Sequence, residues 1–271
     1  MPPITIDKSF AHAAPASVLA ELAAHWVFMV PSAFYWEILT TAPIKRVRTV
    51  EGMPEFRRVD LLSLRREEMK TGEPVIAVNT PRLQISDDLR AAAWSPNAEH
   101  SSLLDQYKKK SLEPVLIFWN KVISKKGVPG FSSDELVDVT ASEAAFVKLC
   151  EELKDDNRIR KIAFEMDFLH AAKIDRRWVH FRLFQAWALH GLVLLRRYRD
   201  LRGGVPSETR FEHDVQDIDY LILGLHTGAL ATGDDSQKLA KASLAWRFTL
   251  LKPRGVLKLL SRQQTQSRKA E

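Results

Sequence analysis

Phe211-Glu-His-Asp-Val-Gln-Asp-Ile-Asp-Tyr-Leu-Ile-Leu-Gly-Leu-His-Thr-Gly-Ala-Leu-Ala-Thr-Gly-Asp-Asp235 carries the pattern on which the fold turns. It opens with carboxylates at Asp214, Asp217 and Asp219. An apolar stripe at helical spacing follows, made of Ile218, Leu221, Ile222 and Leu225. Gly228 then supplies a helix stop. Ala229 to Thr232 is short and apolar enough for a buried strand, and it delivers Asp234 and Asp235 at its end. One acid group therefore opens a helix and another closes a strand. Clustered carboxylates repel one another unless protons or cations compensate them, and hard divalent cations with oxygen ligands are a natural compensation.

The chain start supplies the complementary half. Residues 3–6 read as a strand with Asp7 directly after it, and Pro15 to His25 read as a helix with proline at its first turn. Val27 to Val30 read as a second strand. Ser32 is placed to cap a helix that carries Phe34, Tyr35, Trp36, Glu37, Ile38 and Leu39. A carboxylate among such neighbours needs a partner if it is buried. Read singly, Asp7 is also an ordinary loop acid, Glu37 an exposed helix acid and Asp235 a helix cap. The late acids depend on where their helix begins. Asp214 and Asp217 are three apart and share a face, whereas Asp217 and Asp219 diverge by about 200° on a regular helix. A start before Asp214 thus prevents all three from reaching one ion, and a start at Asp217 makes that residue a cap.

At these residues the chain resembles the PIN-domain nucleases. In that family the first strand ends in an aspartate, as Asp7 does here, and a glutamate sits in an apolar helix motif, as in Trp36-Glu37-Ile38-Leu39. A third acid opens a helix like Asp219-Tyr-Leu-Ile-Leu-Gly224, and a Thr-x-Asp closes the next strand, as Thr232-Gly233-Asp234 does. The resemblance implies a three-layer α/β/α core with a parallel sheet, built discontinuously from residues 1–42 and 205–255. A mostly helical insertion over 43–204 interrupts this core, and a polar tail occupies 256–271. The interval between Glu37 and the third acid is longer than a simple PIN domain uses, which is why an insertion is expected. The resemblance further implies a metal-dependent nuclease that binds Mg²⁺ or Mn²⁺ through Asp7, Glu37, Asp219 and Asp234. Asp217 is the runner-up for the third position and Asp214 comes after it. RNA is favoured over DNA as substrate, and an antitoxin or other protein partner belongs to the same expectation. The alternative is a non-catalytic PIN-like scaffold that holds nucleic acid or protein.

The rest of the chain bounds these readings. Its 271 residues are 45% hydrophobic and 27% charged, an ordinary globular balance, and the net charge of +6 with a pI near 9.4 suits a polyanionic partner. Residues 40–74 contain Arg57, Arg58, Arg65 and Arg66 among leucines and read as a helix or connector with a charged outer face; Pro74 to Val78 read as a short strand. A capped helix is expected from Ser142, and Ile159 to Asp200 reads as helical with little punctuation. Trp178, Phe181, Phe184 and Trp187 fall at core spacing. Arg196, Arg197, Arg199 and Arg202 are the candidate phosphate contacts. His170, His180 and His190 recur every ten residues, do not keep one helix face and so make no ligand set. The single cysteine, Cys150, is expected in a buried helix position and fits no zinc spacing. With no leader pattern at the start and no uninterrupted apolar span, the expected compartment is the cytoplasm.

Overall fold

The structure is a computed structural model that describes residues 1–40, 53–75, 127–197, 208–233 and 248–253, with a few isolated positions outside these ranges. Five strands form one sheet: β1 (Pro3–Ile6), β2 (Val27–Pro31), β3 (Phe56–Val59), β4 (Ala229–Ala231) and β5 (Thr249–Leu251). Their order is β3-β2-β1-β4-β5, and every neighbouring pair is parallel. Among the described residues nine helices accompany them: α1 (Lys8–Ala13), α2 (Ala16–His25), α3 (Ser32–Thr40), α4 (Leu61–Thr71), α5 (Ser133–Ala141), α6 (Glu143–Glu152), α7 (Asp156–Glu165), α8 (Val179–Arg197) and α9 (Glu208–Thr227). The protein is thus α/β with an all-parallel sheet, an arrangement compatible with three α/β/α layers.

The strands read from the apolar runs at 3–6, 27–30, 229–232 and about 247–251 are present as β1, β2, β4 and β5. β1 and β2 are buried almost throughout, as parallel strands covered on both faces must be. Thr5 is central: its backbone lies between Met29 of β2 and Leu230 of β4, and its side chain is fully buried. The fifth strand corrects the sequence reading. β3 lies inside the segment assigned to an insertion, so the boundary drawn at residue 42 cuts through the sheet. Its two central residues are Arg57 and Arg58, which disguised it as a charged connector. They are tolerated because β3 is an edge strand, where charge also blocks unwanted pairing. Pro74 and Val75 form no strand, and the rest of that run lies outside the described residues.

α9 is the spine of the molecule. Its described side chains from Tyr220 to Leu225 are all buried, so it is apolar all round rather than striped. It packs on β1, β2 and β4 on one side and on α8 on the other. Gly224 makes the sheet contact close: a Cβ there would stand 3.0 Å from the Cβ of Leu230. Gly228 ends the helix with φ +81° and donates its N–H to the Gly224 carbonyl, the stop expected from sequence. The start is different, because α9 begins at Glu208, two turns before Asp217.

α8 is fastened at its N-terminus by a carboxylate with no accessible surface. Glu68 of α4 accepts from the N–H groups of Val179 (2.6 Å) and His180 (3.0 Å), and its Oε2 lies 2.7 Å from His180 Nδ1. An acid at the positive end of a helix satisfies donors that the helix cannot satisfy itself. The expected helical continuity from Ile159 to Asp200 fails at Glu165. There Asp167 adopts φ 57° and the Phe168 N–H reaches back to the Ala163 carbonyl, a left-handed stop that uses aspartate in place of glycine. The capped helix at Ser142 is present, with the Ser142 Oγ accepting from the Ala145 N–H. Cys150 is buried in it. The segments 79–126 and 257–271 lie outside the described residues apart from isolated positions.

Trp178, Phe181, Phe184 and Trp187 all belong to the same buried cluster as Ile4, Phe28 and Leu230. Strands and helical segment therefore share one core. We expect Trp178→Ala to cost about 3–5 kcal/mol and to lower the whole protein in one transition. Denaturant unfolding followed by fluorescence and by far-ultraviolet dichroism checks this. Separate transitions for the helical segment and the sheet would contradict a shared core.

Candidate functional site at the strand switch point

The order β3-β2-β1-β4-β5 places a switch point between β1 and β4, where consecutive connections leave in opposite directions. Open parallel sheets bind ligands beyond the carboxyl ends of strands at such a point. Asp7 follows β1 there, and Thr232 and Gly233 follow β4. The two ends are stitched together. The Asp7 N–H donates to the Ala231 carbonyl (2.9 Å), extending the parallel ladder by one bond. The Asp7 carboxylate caps α1, accepting from the Ser9 N–H (3.0 Å) and the Ser9 hydroxyl (2.7 Å). It also accepts from the Thr232 hydroxyl at 2.5 Å, which ties the end of β4 to the end of β1. The Gly233 N–H donates to Ser9 Oγ at 2.9 Å. A Cβ on Gly233 would lie 2.8 Å from the Ser9 carbonyl oxygen, so only glycine permits this approach.

Glu37 enters from α3. Its Oε1 lies 3.6 Å from Lys8 Nζ, and its Oε2 accepts from the hydroxyl of Tyr220 on α9 at 2.5 Å. Only 14% of its side-chain surface remains accessible. Burial pushes its carboxyl up to about 7; the charges of Asp7 and Asp217 push the same way, while Lys8 and the Tyr220 hydrogen bond oppose them. Glu37 therefore feels the charges of both Asp7 and Asp217. Tyr220 is held far above the ordinary phenol range, first by burial and then by Glu37 and Asp7, so it stays a donor.

The helix register bears on the three late acids. Because α9 starts before Asp214, the three cannot converge. Asp217 and Tyr220 are three apart on one face, and Tyr220 touches Glu37. Asp219, the first choice from sequence, stands about 200° around the helix from Asp217, on the arc shared with Ile222 and His226. Asp234 and Asp235 lie outside the described residues, as does the side chain of Asp214. Among the described residues no group of three or more His, Cys, Asp or Glu side chains is gathered tightly enough to hold a metal ion.

The basic candidates are placed differently. Arg196 is ion-paired with Glu143 and lies over the Phe146 ring at 4.8 Å, so it is engaged within the fold. Arg199 and Arg202 lie outside the described residues, as does the side chain of Arg197. No helix among the described residues is long and apolar enough to cross a membrane. Sequence reasoning missed Lys8, Ser9 and Tyr220. Tyr220 had a usable signal: a tyrosine buried in an apolar helix needs a partner for its hydroxyl, and it sits three residues after an acid.

Comparison with family models, with curated proteins and with solved structures finds no match to this chain.

The raised Glu37 carboxyl has a sign that can be tested. The folded protein binds this proton more tightly than the unfolded chain, whose carboxyl titrates near 4.5. The native state thus holds the extra proton between 4.5 and about 7, so its stability falls as pH rises through that window and levels off above it. The full effect is about 3 kcal/mol at most. Measured as the stability difference between wild type and Glu37→Gln across pH 4–8, the curve should fall and then flatten; a flat difference would show that Glu37 ionises freely.

Proposed function

We propose that the switch-point carboxylates form the centre of a divalent-metal-dependent nuclease of PIN type. The observation that carries this reading is the placement of Asp7, after β1, and Glu37, on α3, at the switch point, with Glu37 largely buried beside Lys8 and Tyr220. Burial raises the Glu37 carboxyl first, and the charges of Asp7 and Asp217 add to it. All these donors are oxygens, the set that suits Mg²⁺ or Mn²⁺. In this reading Asp7 and Glu37 would hold the ion with Asp234 as the expected further acid, and Asp217 would have to draw in toward them, since the three described acids are not gathered tightly enough as they stand. When bound, the ion supplies charge compensation and Lewis-acid polarisation of a phosphodiester.

The chain's own residues prepare the site. Ser9 and Thr232 fix the Asp7 carboxylate by three hydrogen bonds, leaving it limited freedom to turn. Tyr220 holds one Glu37 oxygen. Lys8 lies against the other and is placed to contact a substrate phosphate once a cation takes its place beside Glu37. Near pH 7 Glu37 is poised between its two protonation states, the range in which a carboxyl can accept or return a proton. The preference for RNA over DNA, the antitoxin-like partner and the cytoplasmic setting rest on the resemblance in sequence. The second reading, a non-catalytic scaffold, draws on the fact that Lys8 and Tyr220 already occupy both Glu37 oxygens.

Cleavage of end-labelled RNA and DNA with Mg²⁺, Mn²⁺ or EDTA decides between them. We expect metal-dependent cleavage that Asp7→Asn and Asp217→Asn each reduce by more than roughly 100-fold, beyond what losing a supporting residue costs. Thr232→Val should lower it by about 10–100-fold, and Asp219→Asn should leave it within a few-fold of wild type. Activity that survives Asp217→Asn but not Asp219→Asn would reverse the helix assignment. No cleavage under any condition would favour the scaffold.

A further inference from the structure

The carboxyl edge of the sheet carries an exposed cation as well as acids. Arg58 lies near the end of β3 with its side chain open to solvent. Its guanidinium stands over the Tyr35 ring at 4.9 Å, with Nη2 3.5 Å from Ser32 Oγ. Tyr35 is itself held edge-on against Phe34 and Phe56, at 6.4 and 6.1 Å between ring centres. A long side chain that rests on a fixed aromatic face is restrained without losing its charge. Arg158, Arg176, Arg177 and Arg196 each hold a carboxylate, whereas Arg58 holds none among the described residues. The nearest acid in sequence, Asp60, is committed elsewhere. Its carboxylate caps α4, accepting from the N–H groups of Leu62 (3.0 Å) and Ser63 (3.2 Å) and from the Ser63 hydroxyl (2.7 Å).

The sheet register fixes where this cation stands. Met29 pairs with both Thr5 and Arg57, so Arg58 falls one residue further on, level with Ile6 and just short of Asp7. Alternation along β3 puts Arg58 on the same face as Phe56, the face covered by α3, and α3 also carries Glu37. Two strand spacings, about 10 Å, separate the end of β3 from the end of β1. β2 lies between them and ends in Pro31 and Ser32, which carry no charge. A path from the acids over the end of β2 therefore meets Arg58 as its next charge.

We propose that Arg58 is a phosphate contact that sets the direction of a nucleic-acid strand across the site: the strand leaves Asp7 and Glu37 and runs over β2 to β3. The inference rests on the nuclease reading for what the acids do. At about 3.4 Å per nucleotide, three nucleotides cover about 10 Å, and fewer suffice in a stretched strand. Arg58 thus meets a phosphate two or three nucleotides from the one at the acids. A phosphate contact of this kind adds affinity and fixes register without reading sequence.

The test titrates the full chain with labelled single-stranded RNA, an octanucleotide and a dinucleotide, in EDTA for binding and in Mn²⁺ for cleavage. Arg58→Gln should bind the octanucleotide about fivefold more weakly at about 0.1 M salt, and its log–log salt slope should be shallower by about 0.7, the share of one phosphate on a single strand. KM for the octanucleotide should rise more than kcat falls. The loss should shrink on the dinucleotide, which ends before it reaches Arg58. Arg58→Lys should recover most of the octanucleotide affinity, since phosphate also accepts a point charge. Both lengths are read on the same preparation, so the comparison holds even if Arg58→Gln is less stable. Octanucleotide affinity unchanged by Arg58→Gln, or an equal loss at both lengths, would overturn the inference and leave the nuclease reading intact. Arg58-dependent binding without cleavage in Mn²⁺ would support the contact and remove the nuclease reading. No binding of either length by wild type would overturn both.

Discussion

The pairing of β1 with β4 is the constraint on which the rest depends. It joins Thr5 to Leu230 and Ile6 to Ala231, and the Asp7 N–H adds a further bond to Ala231. Everything from α1 to α9 is chain that leaves this ladder and returns to it. Closing so long a loop is entropically costly, although the cost grows only slowly with length. The return is secured by α9, which is buried from Tyr220 to Leu225 and docks on β1, β2 and β4. Gly224 and Gly233 are the two places where that docking leaves no room for a side chain.

The same pairing makes the site. Two parallel strands side by side present their carboxyl ends together, so the residues after them meet: Asp7 with Thr232, and Ser9 with Gly233. α3 and α9 then bring Glu37, Tyr220 and Asp217 to this edge. Energetically the site is a deliberate weakness. Burial first, and then the charges of Asp7 and Asp217, raise the Glu37 carboxyl to about 7 against Lys8 and Tyr220, and folding bears that penalty at neutral pH. Strain of this kind is expected where a ligand later relieves it.

Much of this was legible in the sequence, for identifiable reasons. Strands β1, β2 and β4 are short apolar runs followed by an acid, a proline or a glycine, and Gly228 is a clear stop. The places of Asp7 after β1 and Glu37 inside α3 could be read from the pattern alone. The misses have equally local causes. Arg57 and Arg58 concealed an edge strand, which moved the apparent boundary of the sheet. Asp167 ended a helix in the role usually given to glycine. The start of α9 at Glu208, which keeps Asp214, Asp217 and Asp219 from converging, was announced by no cap signal. Glu68 could not be recognised at all, because burial of a charge on a polar-looking helix depends on what packs against it.

In the proposed reading a cation binds at Asp7 and Glu37, with Asp217 beside them, and displaces a proton held by Glu37. Calorimetric titration with Mn²⁺ at pH 6.5, repeated in buffers of different ionisation enthalpy, measures binding and proton release together. Metal must displace the Glu37 proton in order to bind, so most of one proton should be released per ion, and release should fade as pH rises above about 7. Glu37→Gln should abolish the release and weaken the binding. Tight Mn²⁺ binding with no proton release, or none at all in the wild-type protein, would contradict the account.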